Sequence, residues 1–342
     1  MAASCLSARG LTTAAPALAP PRRRARARRA VDTTTRAKAV AEPPTSEVRS
    51  SDITMWEGTK RLQTQTTEIG PDTTCIRSLD WDRDRFDIEF GLEKGTTYNS
   101  YVIKGSEKTA LVDASHEKFK QLYIDTLAGV VDPKDIDYIV CSHTEPDHSG
   151  LIGPILDLAP NATVVGSKVC LKFLEDLVQK PFAQRVVKGG DVIDLGGGHA
   201  LKFIMAPNLH WPDTMFSFDP ASKLMYTCDA FGSHLCSEDV FDTSLEAVMP
   251  HYRFYYECLM KPNARSVLTA LRKCASEEAD FVGICNGHGP LLKYNVDELV
   301  GGYKRWSEEA LEKAKANTVV FYTSDYGFSD RLSQSVARGL CK

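Results

Sequence analysis

The chain has 342 residues, of which 43% are hydrophobic and 25% are charged, and its formal net charge is −4. This composition is typical of a globular protein with a core of domain size and excludes a wholly disordered chain. No apolar stretch approaches the roughly 20 residues that a helix needs to cross a bilayer, so we expect no membrane span.

The first 47 residues differ in charge from the rest of the chain. They contain eight arginines and Lys38 against three acidic residues, a net charge of +6, which leaves −10 for residues 48–342. An Arg-rich, hydroxylated and acid-poor segment that begins at Met1 is typical of an organellar transit peptide. A nucleic-acid-binding arm and a nuclear signal are the alternatives. The acidic remainder offers no basic face, so we expect no nucleic-acid partner.

Short apolar strands alternate with helical patterns over residues 48–316, which predicts one α/β domain. The predicted strands are 99–104, 109–114, 136–141, 163–165, 201–205, 215–218, 224–227 and 281–285, and the predicted helices are 118–127, 169–178, 265–276 and 296–316.

Four metal-binding side chains lie within six positions of the run Cys141-Ser-His-Thr-Glu-Pro-Asp-His-Ser-Gly150. They are His143, Glu145, Asp147 and His148. A buried strand precedes them, so they are predicted on the loop at its C-terminal end. Their alternating spacing can aim successive side chains in different directions, and one loop could then serve two metals about 3.5–4 Å apart. A solvated turn with accidental histidines is the alternative.

Three later segments extend this set, and each lies beside a predicted buried strand. His210 belongs to residues 208–215, Asp229 to 224–234 and His288 to 284–290. Together with the first loop they predict a binuclear metal site, and they argue against a solvated turn with accidental histidines.

The ordered pattern resembles the metallo-β-lactamase-like fold, an αββα sandwich, over about residues 55–300. In the hydrolases of that superfamily the first motif reads His-x-His-x-Asp-His and holds zinc, whereas Glu145 takes the second histidine position here. With Asp147 and Asp229 the site would contain three carboxylates. Anionic oxygen ligands favour a harder, redox-active metal, so we expect iron rather than zinc.

The His-x-Glu-x-Asp-His form, the Leu-His-Trp-Pro-Asp-Thr-Met segment and the Cys-Asp-Ala-Phe-Gly segment resemble a flavodiiron protein. The resemblance implies that His143, Glu145 and His210 hold one iron. It implies that the second iron is held by Asp147, His148 and His288, with Asp229 bridging the pair. Because all these positions keep the expected residue types, the chain resembles the ligand-keeping, B-type subunit of the photosynthetic branch.

The C-terminus resembles the first βα unit of the family's flavodoxin-like, doubly wound FMN module. Residues 318–322 are predicted as a strand and 331–340 as a helix. The turn between them contains Thr323, Ser324, Asp325, Tyr326 and Gly327. Hydroxyls and free backbone N–H groups before a helix suit a phosphate. Such a module normally needs about 140 residues. We therefore expect residues 317–342 to be an incomplete FMN domain of a truncated sequence, with FMN bound by the complete protein.

The remaining histidines and the cysteines are expected in ordinary roles. His116 and His199 are predicted on the surface, whereas His234 and His251 are candidates for positions near the metal cavity. The ten cysteines are spread singly without a Cys-x-x-Cys pair, which is typical of small buried residues in a reducing compartment.

The resemblance implies an oxidoreductase that reduces dioxygen to water at a diiron site with electrons from FMN. Nitric oxide is a second candidate substrate, and NAD(P)H or ferredoxin is the expected donor. A head-to-tail homodimer, or a heterodimer with an A-type subunit, would place the FMN module of one subunit near the irons of the other. The expected location is the chloroplast stroma, where the protein would act as a photosynthetic electron sink.

Two alternatives remain open at this point. The first is a dizinc hydrolase of the same fold, in which a metal-activated water attacks the substrate. The second is a truncated subunit that binds metal but receives no electrons.

Overall fold

The computed structural model describes residues 49–50, 54–56, 60–86, 90–277, 279–312 and 319–340. The predicted transit peptide, residues 1–47, lies outside them. The strands are β1 (Arg49–Ser50), β2 (Thr54–Trp56), β3 (Lys60–Gly70), β4 (Thr73–Asp80), β5 (Arg85–Phe86), β6 (Phe90–Gly91), β7 (Thr96–Lys104), β8 (Thr109–Val112), β9 (Tyr138–Val140), β10 (Thr163–Gly166), β11 (Ala183–Val186), β12 (Val192–Gly196), β13 (His199–Met205), β14 (Met215–Asp219), β15 (Leu224–Cys228) and β16 (Gly283–Asn286).

The α-helices of the described residues surround these strands. They are α1 (Lys120–Val130), α2 (Pro146–Ser149), α3 (Ile152–Leu158), α4 (Lys168–Val178), α5 (Leu245–Tyr255), α6 (Ala264–Ser276), α7 (Val296–Leu311) and α8 (Phe328–Leu340). Helix α5 continues directly into a π-helical turn at Tyr256–Met260.

Two large sheets dominate the described part of the chain. The first has the order β1-β3-β4-β7-β8-β9-β10-β11, with β2 also paired to β3, and it is parallel from β8 to β11. The second has the order β12-β13-β14-β15-β16 and is antiparallel except for β15 and β16. The short strands β5 and β6 pair with each other as a separate antiparallel sheet.

Alternate side chains of the central strands enter different cores, as the two-residue period of a strand requires. In β9, Ile139 packs with the apolar residues of α1, α3 and α4, whereas Val140 packs between the two sheets. In β15, Tyr226 packs between the sheets and Met225 packs with α5, α6 and α7. The layers are therefore helix, sheet, sheet and helix, and the predicted αββα sandwich is confirmed.

The strands and helices predicted around the metal motifs are present, with ends displaced by a few residues. The long pair β3 and β4 was not predicted, because Lys60–Gly70 is rich in Thr and Gln and lacks an apolar run. Its buried polar side chains, such as Gln65, are held by partners that only the fold supplies, in this case the guanidinium of Arg77 at 2.9 Å.

Three expectations were wrong. The helix predicted over 296–316 ends at Leu311, and Glu312 is extended. The side chains after Ser307 are exposed, so no buried face continues the helix. Residues 313–316 lie outside the described residues. His199 is buried rather than on the surface, because the carboxylate of Asp219 lies 2.8 Å from its Nδ1 and satisfies it.

The third correction concerns the predicted strand 318–322. Residue 318 lies outside the described residues, and 319–322 form no strand. A strand needs a neighbour for its backbone hydrogen bonds, and no described strand pairs with this segment. Helix α8 begins at Phe328, three residues earlier than predicted, with a bond from the Arg331 N–H to the Gly327 carbonyl. The domain boundary at 316 remains a prediction.

Candidate metal centre

The first ligand loop leaves the sheet at the end of β9 and folds into the single helical turn α2. Pro146 occupies the first helical turn, where a missing N–H costs nothing. The Glu145 carbonyl accepts hydrogen bonds from the backbone N–H groups of His148 and Ser149, each with a donor–acceptor distance of 3.0 Å. The strand end thus places His143 and Glu145, and the helical turn places Asp147 and His148.

Four of the predicted side chains form a first group: His143, Glu145, His210 and Asp229. Glu145 Oε2 lies 2.8 Å from His210 Nε2 and 3.2 Å from His143 Nε2. Asp229 Oδ2 lies 3.3 Å from His143 Nε2. Two imidazoles therefore face two carboxylates in one small space.

A second group lies on the other side of Asp229: Asp147, His148 and His288. Asp147 Oδ2 lies 3.3 Å from His288 Nε2. Asp229 Oδ1 lies 2.9 Å from His148 Nε2 and 3.2 Å from His288 Nε2. One oxygen of Asp229 therefore faces each group, as a bridging carboxylate would. The fold brings all seven predicted side chains together, and their role as ligands remains a prediction.

Several buried polar atoms of these groups fit a metal. Within the described part of the chain, both carboxylate oxygens of Asp147, Asp229 Oδ2 and His288 Nε2 lack a hydrogen-bond partner. Buried polar atoms normally have partners, and leaving one without costs about 1–3 kcal/mol. Metal coordination would satisfy these atoms. The seven donors are imidazole nitrogens and carboxylate oxygens, a set that suits iron.

Charge also favours a cation here. Burial opposes protonation of His288, but the carboxylates of Asp147 and Asp229, which lie 3.3 and 3.2 Å from its Nε2, outweigh this effect and raise its pKa to about 10. Burial likewise opposes protonation of His210, yet the carboxylates of Asp229 and Glu145, which lie 3.5 and 2.8 Å from its Nε2, raise its pKa to about 9. Without metal the imidazoles hold protons, and metal binding must displace them.

Other residues contact the Nδ1 atoms of two candidate ligands, and these atoms point away from the metal site. His288 donates from Nδ1 to the Thr97 carbonyl over 2.7 Å. The remote Nδ1 of His143 lies 3.1 Å from Asp213 Oδ1. Sequence analysis missed Thr97 and Asp213 as supporting residues. Only Asp213 had a local signal, because it belongs to the same segment as His210.

Of the two histidines predicted near the metal cavity, His234 contacts the site and, among the described residues, His251 does not. The ring of His234 is buried 5.0 Å from that of His288, and its Nδ1 lies 2.9 Å from Thr96 Oγ1. His234 therefore lies beside the site. His251 is half-buried on α5, and no described contact joins it to the seven side chains.

The predicted FMN residues Thr323–Gly327 precede α8. Gly327 has a φ of 79°, the left-handed conformation that favours glycine, and Tyr326 is exposed. The loop thus has the tight turn before a helix that was predicted. Its phosphate-binding role remains a prediction.

The αββα layers and the seven converging side chains define a metallo-β-lactamase-like protein with a candidate two-metal site. Residues 96–289 match the family described as "ODP family beta lactamase". Over 283 residues the chain is 58% identical to diflavin flavoprotein A 1 of Synechocystis sp. PCC 6803, and the match covers 83% of this chain and 49% of that protein.

Solved structures agree. The metal-soaked Flv1 flavodiiron core from Synechocystis sp. PCC6803 matches with a TM-score of 0.70 at 35% identity, over 81% of this chain and 68% of that one. Rubredoxin oxygen:oxidoreductase from Desulfovibrio gigas matches with a TM-score of 0.69 at 26% identity, over 81% and 69%. The chain belongs to the ODP β-lactamase family and, within it, to the flavodiiron proteins. It spans about half the length of the curated relatives it matches.

In the described residues, no helix has the length and apolar character needed to cross a membrane. The eight described cysteines are free, and all but Cys258 are buried, as their single spacing predicted.

Proposed function

We propose that this chain is the metal-binding part of an oxygen reductase, an enzyme that would convert dioxygen to water at a diiron site with electrons from FMN. The observation that carries the proposal is the position of Glu145. Its carboxylate lies within 3.2 Å of two histidine Nε2 atoms, in the group that shares Asp229 with the second group. Two irons held there would exchange electrons with dioxygen, which no side chain of the site can do by itself.

The chain's own residues would arrange and seal this site. The side chains of His143, His148 and His288 are fully buried, whereas His210 is 14% exposed. The exposed parts of the site are therefore His210 and, to a smaller extent, the carboxylates of Glu145 and Asp147. Exposure this limited suits a small gas, either dioxygen or nitric oxide. Burial of the other ligands keeps bulk water away from them, so electrostatic interactions within the site are weakly screened.

Charge balance supports iron over zinc. Glu145, Asp147 and Asp229 bring three negative charges to two metal positions. Asp229 stays ionised, because burial, which would raise its pKa, is outweighed by the charge and hydrogen bond of His148 and by further histidine hydrogen bonds. Such a site can hold two ferric as well as two ferrous ions, as an electron-cycling centre requires.

The source of electrons is proposed from the resemblance. FMN would come from the flavodoxin-like module of a second subunit, in a head-to-tail homodimer or a heterodimer with an A-type subunit. NAD(P)H or ferredoxin would supply that flavin. The similarity to the Desulfovibrio gigas protein, a rubredoxin oxygen:oxidoreductase, supports dioxygen as the substrate. The basic, acid-poor residues 1–47 support import into the chloroplast stroma, where the protein would act as a photosynthetic electron sink.

Metal content tests the proposal first. The full chain is expressed with iron and zinc both supplied, and its metals are measured by elemental analysis. We expect about two irons per chain and a mixed-valence electron paramagnetic resonance signal on partial reduction. About two zincs without iron would overturn the proposal in favour of a dizinc hydrolase.

Oxygen uptake tests the reaction itself. The iron-loaded full chain is mixed with reduced FMN, and its dioxygen consumption is compared with that of the same chain loaded with zinc. Faster consumption with iron is expected. Equal rates would contradict oxygen reduction by this chain and favour the subunit that receives no electrons.

A further inference from the structure

Asp213 is completely buried behind the metal centre, and its two carboxylate oxygens have different partners. Oδ1 lies 3.1 Å from Nδ1 of His143. Oδ2 accepts two hydrogen bonds from Thr144, from the backbone N–H over 2.7 Å and from the hydroxyl over 2.6 Å. The backbone of Asp213 is anchored as well, because Ser167 donates its hydroxyl to the Asp213 carbonyl over 2.9 Å.

These contacts decide which nitrogen of His143 carries a proton. Oδ2 of Asp213 accepts from both Thr144 donors and Oδ1 faces His143 Nδ1, an arrangement that suits a carboxylate accepting at both oxygens. An ionised carboxylate can only accept. The nitrogen beside it, Nδ1, must therefore donate, and the lone pair of Nε2 is then free to bind a metal.

The histidines of the site differ in this respect. His288 donates from Nδ1 to a neutral carbonyl, that of Thr97. For Nδ1 of His148, no hydrogen-bond partner is present among the described residues. A carboxylate behind an imidazole increases its basicity more than a carbonyl does, because it stabilises positive charge on the ring. His143 should therefore be a stronger metal donor than His148 or His288.

We propose that Asp213 is a positioning residue that holds His143 in its metal-binding tautomer and strengthens the metal position formed with Glu145 and His210. The inference rests on the metal site of the proposed function, but it holds for any divalent ion bound there. It implies two unequal metal positions, of which the first depends on Asp213. The position formed by Asp147, His148 and His288 does not.

The substitution Asp213→Asn tests this with little change in shape. The N–H and hydroxyl of Thr144 both donate, so they would bind the amide oxygen of the new side chain. Its NH2 group would then face His143 Nδ1. That arrangement favours a proton on Nε2, where it blocks the metal. We expect the affinity of one metal position to fall about 10- to 100-fold, the range typical of such supporting residues, while the other is retained.

The measurement is a competition titration of the full chain with a chelator, carried out anaerobically with ferrous iron and separately with zinc. Asp219→Asn is the matched control, because it makes the same change in an equally buried carboxylate that lies beside Nδ1 of His199, a histidine outside the metal site. Both affinities should survive in the control. Unchanged affinities in Asp213→Asn, or equal losses at both positions, would overturn the proposal.

A second measurement does not require the variant to fold. In the zinc-loaded wild-type chain, nitrogen-15 NMR of the histidine rings should show a proton on Nδ1 of His143 and its Nε2 bound to metal. A His143 Nδ1 without a proton would overturn the inference. If the wild-type chain takes up zinc but no iron, the proposed function fails, while the role of Asp213 is still decided by the zinc data.

Discussion

Tyr255 donates its phenolic hydrogen to Oδ1 of Asp229 over 3.0 Å. This tyrosine ends α5, so the bond connects the helical layer to the carboxylate that lies between the two metal groups. Burial, followed by the negative charge of Asp229, raises the pKa of Tyr255 well above its ordinary value, so the phenol remains a donor throughout the working pH range.

Replacing Tyr255 with Phe should destabilise the metal-free chain. Hydrogen bonds to charged groups contribute about 1.5–3 kcal/mol, and neutral ones about 0.5–1.5 kcal/mol. Tyr252→Phe is the matched control, since its buried hydroxyl donates to the neutral Leu299 carbonyl over 3.2 Å. Urea unfolding of the two variants should show the larger loss for Tyr255→Phe. A smaller loss there than in the control would contradict a role in holding Asp229.

Replacing Asp229 with Asn should remove both metals rather than one. Each Asp229 oxygen faces a different histidine group, so the single change removes charge from both positions. Elemental analysis of the full chain should show fewer than one metal per chain. Asp219→Asn is the control, because Asp219 is an equally buried carboxylate that instead holds His199. A variant of Asp229 that keeps one metal at full occupancy would argue against bridging.

Replacing Glu145 with His should change the metal that is bound. The variant would have the His-x-His-x-Asp-His motif of the zinc hydrolases and one negative charge fewer. We expect a shift from mainly iron to mainly zinc when both metals are supplied during expression. Glu175→His, an exposed position on α4, should leave the metal content unchanged. Unaltered iron content in Glu145→His would show that Glu145 does not decide metal choice.

The metal-free chain should lose stability as the pH rises above neutrality. The folded-state pKa values of His210 and His288, about 9 and 10, lie above the ordinary histidine value of about 6.5. Their contribution is therefore fully present below pH 6.5 and is lost as the pH rises through 9 and 10. Each histidine contributes a slope of up to about 1.4 kcal/mol per pH unit.

Urea unfolding with a chelator, at several pH values between 6.5 and 10, measures this loss. In the metal-loaded chain the same imidazoles are already neutral and coordinated, so this slope should be absent. A metal-free chain whose free energy of unfolding is constant or rises over this range would contradict the assigned ion pairs.

The sequence alone determined the residue types of the metal centre and the layered fold. Four of the seven side chains lie within residues 143–148, so their residue types and spacing could be read together, although the structure places Asp147 and His148 on the helical turn α2 rather than on the predicted loop. The α/β class followed from apolar strands such as Tyr138–Val140, and the αββα sandwich was implied by the resemblance of the ordered ligand pattern to a known fold. These signals are local, and they are readable without knowing which distant segments come into contact.

Only the tertiary structure decided which residues support the seven side chains, whose division around Asp229 the resemblance had already implied. The contact of His143 with Asp213 joins residues 70 positions apart, and that of His288 with Thr97 joins residues 191 positions apart. The end of α7 and the absence of a strand at 319–322 were decided in the same way. A helix continues while one of its faces is buried, and a strand needs a partner strand. Both conditions depend on segments that are distant along the chain, so the local sequence does not reveal them.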